Sequence, residues 1–337
     1  MSDRSPRTDA NASRPAAKAE KLTAHRGLAT WGERLVPLDE FRRAASASGR
    51  RLTASAREQA SQEYLQPTPD PTPVEGPFSR VVVFGGVYNN AWALEALLEE
   101  AARRRAEAVF CLGDLGGFGP RPNLVQPLLE QGSVLTIKGN YEDSLATGHE
   151  DCNCGYTDPR DNHFAKISYR YTAQGTSPEF KGWMGTLPAR RRIRIANREL
   201  LLVHGSPRRI NEFLFESTSP IPFLESILDR EVTDGLLCTH TGLDWHRRLP
   251  SGRDAINVGV IGRPANDGST DVRYCWLEDR GGTLEVESVR LAYDHEALAR
   301  EMRREDLPAE FVDTILTGWW TTCLEILPAK ERARSRY

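Results

Sequence analysis

Several things are scarce in this chain. Six cysteines in 337 residues are too few for a disulfide framework, so free thiols and a cytoplasmic setting are expected. No apolar run reaches the length of a membrane span. The opening residues, MSDRSPRTDANASRPAAKAEKL, lack the apolar centre of a secretory signal. Charge of one sign is also missing: 44 Lys and Arg against 47 Asp and Glu leave a net −3. No overall field draws such a chain to nucleic acid or to an anionic membrane. One loop lacks something more specific. The stretch VVVFGGVYNN, starting at Val81, reads as a buried strand that breaks into a glycine turn before the helical pattern AWALEALLEEAARRR. Such turns lead into ligand sites in α/β proteins. This one carries no Asp, Glu, His, Lys or Ser.

Residues 1–77 read as an extension outside the main domain. The first 28 are polar and poor in large apolar residues, a composition expected to be disordered. The stretch from Trp31 to Leu65 suits one or two short helices, and QPTPDPTPVEGP, Gln66 to Pro77, suits a Pro-rich linker. The main domain is expected over 78–327, with a tail at 328–337. From Arg80, helices and strands alternate, and then strands dominate up to a hairpin at Gly281-Gly282 and two C-terminal helices. That order predicts a layered α/β domain with a mixed sheet system rather than a purely parallel sheet.

Four short blocks fall at strand ends: GDLGGFGP (Gly113 to Pro120), GNYED (Gly139 to Asp143), VHGSPRR (Val203 to Arg209) and THT (Thr239 to Thr241). Loops at the carboxyl ends of strands converge in open α/β sheets. Asp114, Asn140, His204 and His240 are therefore expected to face one point. One carboxylate, one amide oxygen and two imidazoles make a mixed set that suits Mn, Fe or Zn.

These blocks, in this order, resemble the calcineurin-like metallophosphoesterases, in particular a small bacterial group with a GDxxGxGP block. The resemblance covers about Val81 to Tyr293. It implies two stacked mixed β-sheets flanked by helices, and a two-metal site whose ions share the carboxylate of the Gly-Asp block. Asp114 falls on that carboxylate, and Asn140, His204 and His240 on the other ligands of one metal. The second metal should be held by an opening Asp-x-His and by the last His of Gly-His-x-His. With ALEAL (Ala93 to Leu97) as anchor, those positions are Gly86, Tyr88 and Gly242, while Asn90 keeps the family's Asn. One divalent ion is thus expected, and the second site has lost its ligands. The family's leaving-group His is Tyr141 here, a weak acid but a usable hydrogen-bond donor. Catalytic roles fall on Asp114, Tyr141 and His204.

Other residues near these blocks carry weaker expectations. Arg208 beside His204, and Arg121 after GFGP, suit phosphate recognition together with Tyr88 and Asn90; Arg263 is an even choice between site and surface. The segment Gly148 to His163, with His149, Asp151, Cys152, Cys154, Asp161 and His163, reads as a polar cover with two reduced thiols, with metal or redox duty as the alternative. His246 reads as a surface residue, the run Arg190, Arg191, Arg192 and Arg194 as the exposed side of a strand, and Trp319 and Trp320 as packing residues on a helix. The functional expectation is a metal-dependent hydrolase of phosphoester bonds, or a repurposed descendant, acting on a small phosphorylated or other metabolite. The alternative is an inactive relative that binds a phosphorylated ligand or a partner protein.

Overall fold

The computed structural model describes residues 71–335, together with the backbone of three short strands, Ala24–His25 (β1), Leu28–Trp31 (β2) and Arg34–Pro37 (β3). The chain divides into two units, Met1–Gln66 and Pro67–Tyr337. In the first, β1, β2 and β3 pair in that order, antiparallel. A strand at Arg34–Pro37 replaces the start of the helices expected from Trp31; the rest of that expectation, and the disorder expected over the first 28 residues, lies outside the described residues.

The second unit is built on two mixed sheets. One has six strands: Val74–Phe78 (β4), Arg190–Ile195 (β8), Arg198–Val203 (β9), Gly235–Cys238 (β10), Asp244–Arg248 (β11) and Asp254–Val258 (β12), in the order β11-β12-β10-β9-β8-β4. The other has five: Arg80–Phe84 (β5), Ala108–Cys111 (β6), Leu135–Thr136 (β7), Val272–Asp279 (β13) and Leu284–Leu291 (β14), in the order β14-β13-β5-β6-β7. The pairs β5/β6, β6/β7, β9/β10 and β10/β12 are parallel, which aligns their carboxyl ends. The period-two alternation of side chains explains the near-continuous apolar runs. Val81 and Val83 of β5 join Phe110, Ile193, Leu200, Leu202 and Ile256 in one apolar layer. Val82 and Phe84 face the opposite way, onto Leu94 and Leu97 of the helix Ala91–Arg103 (α1). Leu201 and Val203 of β9 face Leu224, Ile227 and Leu228 of the helix Ile221–Glu231. Two mixed sheets flanked by helices is the architecture that the resemblance implied.

Local departures have local causes. The strand expected from SVLTIKGN is only two residues long, because Asn140 opens a helix, Asn140–Thr147. Two further helices, Pro159–Gly175 and Pro178–Thr186, lie in a stretch without a clear period. Both carry a start signal in the sequence, Asp158-Pro159 and Ser177-Pro178, with the Asp and Ser side chains accepting from helix N–H groups. The edge strand β4 lies inside the Pro-rich stretch read as linker, so the sheet begins at Val74. Arg192 is buried, not exposed: its guanidinium pairs with Glu199 at 2.9 Å and donates to the Glu231 carbonyl at 2.6 Å. In the segment read as tail, the short helix Ala329–Arg332 presents Glu331, buried, to the Ser217 N–H at 2.8 Å.

Candidate metal centre

The turns after β6, β7, β9 and β10 bring Asp114, Asn140, His204 and His240 together, all buried. The loops touch because two glycines allow it. A Cβ on Gly113 would lie 2.3 Å from the Gly139 nitrogen, and one on Gly139 would lie 2.5 Å from the Asp114 nitrogen. Asp114 and His240 hold left-handed backbone, at φ +59° and +70°. Non-glycine residues adopt it at a cost, and such strain concentrates at functional sites.

The hydrogen bonds around these side chains decide what they offer. His204 Nδ1 is 2.6 Å from the Leu112 carbonyl, and His240 Nε2 is 3.1 Å from the Cys154 carbonyl. A carbonyl only accepts, so each of these nitrogens carries a proton, and in the neutral imidazole that a metal requires the other ring nitrogen bears the lone pair. Asn140 Nδ2 donates to the Cys152 carbonyl at 2.9 Å, which turns Oδ1 inward. Four acceptor atoms then face one another. His204 Nε2 lies 3.0 Å from Asn140 Oδ1, 3.1 Å from His240 Nδ1 and 3.3 Å from Asp114 Oδ2. Lone pairs at these separations repel unless a positive charge sits among them. Two nitrogens and two oxygens, each oriented by an outer hydrogen bond, fit a divalent cation such as Mn, Fe or Zn. Among the described residues, Asp114, His204 and His240 are the His, Cys, Asp or Glu side chains that converge in this way.

Charge at the centre follows from burial and proximity. Burial alone would raise the Asp114 carboxyl, but the His204 and His240 imidazoles and the Tyr141 N–H hold it below its ordinary value. Burial and the neighbouring His204 push His240 down to about 3. Burial also opposes charge on His204, but Asp114 outweighs it and the net shift is upward.

Beneath the ligands lies Glu142, a residue that the sequence analysis passed over. Its buried carboxylate accepts from the N–H groups of Asp114 at 2.7 Å, Leu115 at 2.8 Å and Gly139 at 2.8 Å. It ties two ligand loops together. The signal was its place three residues after Gly139 at a helix start, where an acid reaches back to cap.

A cavity of about 50 Å³ opens from the centre, lined by Asp114, His240, Tyr88, Tyr141, Cys154, Arg263 and Cys323, with Phe118, Phe164 and Phe311 among its apolar walls. Tyr88 and Tyr141 are thus at the site, as expected. Burial pushes both phenols well up, so both stay neutral hydroxyls. Tyr141 Oη is 2.9 Å from Ser168 Oγ.

Three expected contacts are elsewhere. Asn90 is a structural cap: it accepts from the Ala93 N–H at 3.0 Å and donates to the Ile261 and Gly262 carbonyls at 3.2 and 3.4 Å. Arg208 pairs with Glu212 and lies over the Phe223 ring at 4.7 Å. Arg121 pairs with Glu301 at 2.5 Å and Glu305 at 3.5 Å, beside a separate surface cleft. Each arginine is paired with an acid, Arg208 with Glu212 by i,i+4 spacing and Arg121 with residues of the distant helix His295–Arg304 and its end. The thiol expectation also changes. Cys152 and Cys154 are joined in a disulfide and buried, and their carbonyls hold Asn140 and His240. His246 pairs with Asp254 at 2.8 Å on β11, away from the cavity.

The glycines at the family's second metal leave no gap. A Cβ on Gly86 would lie 2.6 Å from Val260 Cγ1 and 2.7 Å from Tyr88 Cζ. One on Gly242 would lie 2.8 Å from Trp320 Cη2 and 3.1 Å from Arg263 Nη2. Both have positive φ, +41° and +78°. Trp320 follows the helix Ala309–Thr317 rather than lying on it, and is fully buried.

Stacked mixed sheets with a carboxylate, an amide and two imidazoles at their strand ends define a metallophosphoesterase. Residues 80–270, more than half of the chain, match the calcineurin-like phosphoesterase superfamily domain, and the chain belongs to that family. Two solved structures share the fold. A metallophosphoesterase from Sphaerobacter thermophilus is 23% identical, with a TM-score of 0.56 over 72% of this chain and 99% of its own. A hypothetical protein from Pyrococcus horikoshii OT3 is 22% identical, with a TM-score of 0.60 over 72% of this chain and 99% of its own. An uncharacterized protein of Methanocaldococcus jannaschii is 24% identical over 260 residues, 71% of this chain and 98% of its own.

Proposed function

We propose that this protein hydrolyses phosphoester bonds with one divalent cation, held by Asp114, Asn140, His204 and His240. The observation that carries this is the outward hydrogen bonding of Asn140, His204 and His240, which leaves their inner atoms as unprotonated donors around one point. A cation there would polarise a phosphoryl oxygen and acidify water. The chain's own groups set the rest. His204 has both ring nitrogens engaged, so its role is ligation, not proton transfer. Tyr141 and Tyr88 offer neutral hydroxyls to the cavity and serve as hydrogen-bond donors to substrate oxygens. The aromatic walls, Phe118, Phe164 and Phe311, lower the polarity around these contacts and strengthen them.

The substrate we expect is a small phosphorylated metabolite, because the cavity is narrow. No helix among the described residues is long and apolar enough to cross a membrane. With few cysteines and no excess of positive charge, we place the protein in the cytoplasm and away from nucleic acid. The test measures metal per chain and turnover of an aryl phosphate and a bis-aryl phosphodiester on the same preparation. Near one ion with turnover supports the proposal. One ion without turnover on these or on a panel of small phosphorylated metabolites would make the chain a binding module instead.

A further inference from the structure

We propose that Arg263 takes the place of the second cation, and that its guanidinium binds the oxygens of the substrate's phosphoryl group. The inference rests on the phosphoester reading of the cleft. It stands on four observations. Arg263 lines the same cavity as Asp114 and His240. Its Nη2 lies 3.1 Å from where a Cβ on Gly242 would begin, the position at which the family carries the last histidine. Its side chain is buried at 6% exposure, and Nε has no hydrogen-bond partner. Among the described residues, no carboxylate forms an ion pair with it.

A buried guanidinium without an acid is costly, and an anion relieves that cost. The surroundings of Arg263 hold it in place without neutralising it. Its guanidinium carbon lies 3.5 Å from the Trp320 ring centroid and 5.9 Å from the Tyr88 and Phe118 rings. Trp320 is itself fixed, its indole N–H donating to the Pro264 carbonyl at 2.7 Å. Stacking sets the plane and leaves the edge of the fork for hydrogen bonds, the geometry that suits a phosphoryl group. The backbone before Arg263 is clamped to the first-strand loop: Gly262 N–H donates to the Gly86 carbonyl at 2.7 Å, and Asn90 holds the Ile261 and Gly262 carbonyls. Asn90 is therefore a positioning residue for Arg263. Gly262 has a reason as well, since a Cβ there would lie 2.4 Å from Tyr88 Cβ. The loop that carries no metal ligand thus clamps the backbone before the arginine through the Gly86 carbonyl and places the Tyr88 ring beside its guanidinium.

A fixed guanidinium differs from a metal ion in a measurable way: chelators do not remove it. The probe is inorganic phosphate, titrated calorimetrically into the full chain, metal-loaded and chelator-treated. Wild type is expected to bind phosphate in both states. Arg263→Gln should weaken binding at least about tenfold in both, with metal content unchanged, and Arg263→Lys should recover part of the loss. A folded Arg263→Gln variant with wild-type phosphate affinity overturns the proposal, as does loss of all phosphate binding when wild type is chelated. If Arg263→Gln fails to fold, tungstate soaked into wild-type crystals decides: tungstate on the Arg263 fork supports the proposal, and tungstate only elsewhere, or none, overturns it. Metal content separates the two readings. Phosphate binding that depends on Arg263 in a chain without metal leaves this inference standing and removes the proposed function. One ion per chain with phosphate binding indifferent to Arg263 does the reverse.

Discussion

The two halves of the cleft use the same strand ends for different ends. On one side, Asp114, Asn140, His204 and His240 are packed so that lone pairs converge, with backbone carbonyls behind them. On the other, Gly86, Tyr88 and Gly242 are the positions at which the resemblance implies an aspartate and two histidines, and Tyr88, Arg263 and Trp320 pack around the two glycines. The first half offers a set of ligands that fits a cation. The second already contains one, covalently attached. Around Gly86 and Gly242 the side chains are tightly packed, while Tyr88 and Arg263 also line the cavity beside Asp114 and His240. Chemically the exchange is unequal. A guanidinium binds and stabilises negative charge, but it does not acidify water as a metal ion does. On the proposed function, the work of making a nucleophile would fall to the metal half alone.

The strongest test of that division removes the metal half's only carboxylate. Asp114→Asn keeps the shape and the bond from the Tyr141 N–H, and Asn tolerates the φ of +59°. Metal analysis should fall from near one ion per chain to background, a loss of affinity beyond the ~10–100-fold typical of outer-sphere changes. Turnover should vanish with it. Wild-type protein that carries two ions per chain would break the comparison outright.

The next test tries to turn the second half back into the first. Gly86→Asp with Gly242→His restores the family's residue types, and from sequence alone the surroundings read as still shaped for a metal. The packing says otherwise. Each new Cβ meets an aromatic side chain within 2.8 Å, and each residue would sit at positive φ. Two left-handed residues at ~1–2 kcal/mol each, with overpacking at ~1–3 kcal/mol, predict a loss above about 3 kcal/mol in denaturant unfolding. No second ion should appear in metal analysis. A stable double variant holding two ions would show that the arginine half is a decayed metal site after all.

This contrast also marks what was legible in the sequence. The metal half was, because each ligand follows an apolar strand and three of the four, Asp114, Asn140 and His204, carry a glycine beside them, and those features survive as short words in the chain. The layered mixed sheets were legible for the same reason: period-two apolar runs on β5 and β9 are buried on both faces. The arginine half was not. Arg263 meets Gly242 and Trp320 across separations of 21 and 57 positions, and nothing local distinguishes it from Arg121, which pairs with Glu301 and Glu305 from a C-terminal helix; only Arg208 has its acid, Glu212, close in sequence. Long-range packing chose among the arginines. The cysteines illustrate the same limit: Cys-x-Cys reads alike as cover or site, and only the fold shows that its carbonyls hold two ligands.

A smaller effect should come from beneath the metal half. Glu142→Gln keeps the volume but replaces one acceptor oxygen with an NH₂ group that faces backbone N–H donors. One of three bonds becomes a clash, and the loops carrying Asp114 and Asn140 loosen. Metal affinity should weaken by ~10–100-fold, with one ion still bound at saturation, and stability should fall by ~1–3 kcal/mol. A competitive chelator titration reads the first and denaturant unfolding the second. Unchanged affinity would mean that the glycine contacts alone set the ligand geometry.

The mildest change concerns the loop that closes the metal half from outside. Cys152 and Cys154 hold Asn140 and His240 through their carbonyls, not their sulfurs, apart from one 3.5 Å contact between Asn140 Nδ2 and Cys154 Sγ. Replacing both with Ser keeps the backbone and removes the link that joins them. The carbonyls then lose one restraint on their position but keep others: Asn153 N–H still donates to Asp151 at 2.9 Å, and the Asn153 carbonyl still accepts from Asn211 at 2.7 Å. The loss of metal affinity should therefore be real but at or below the low end of the outer-sphere range, up to ~10-fold, and smaller than for Glu142→Gln. Phosphate binding to the chelated protein should not change, because Arg263 is held by Trp320 and by the Asn90 clamp rather than by this loop. A variant that lost both together would join the two halves into one mechanical unit. A variant that lost neither would return the loop to the role of a polar cover, with Asn140 and His240 oriented by the strand ends alone.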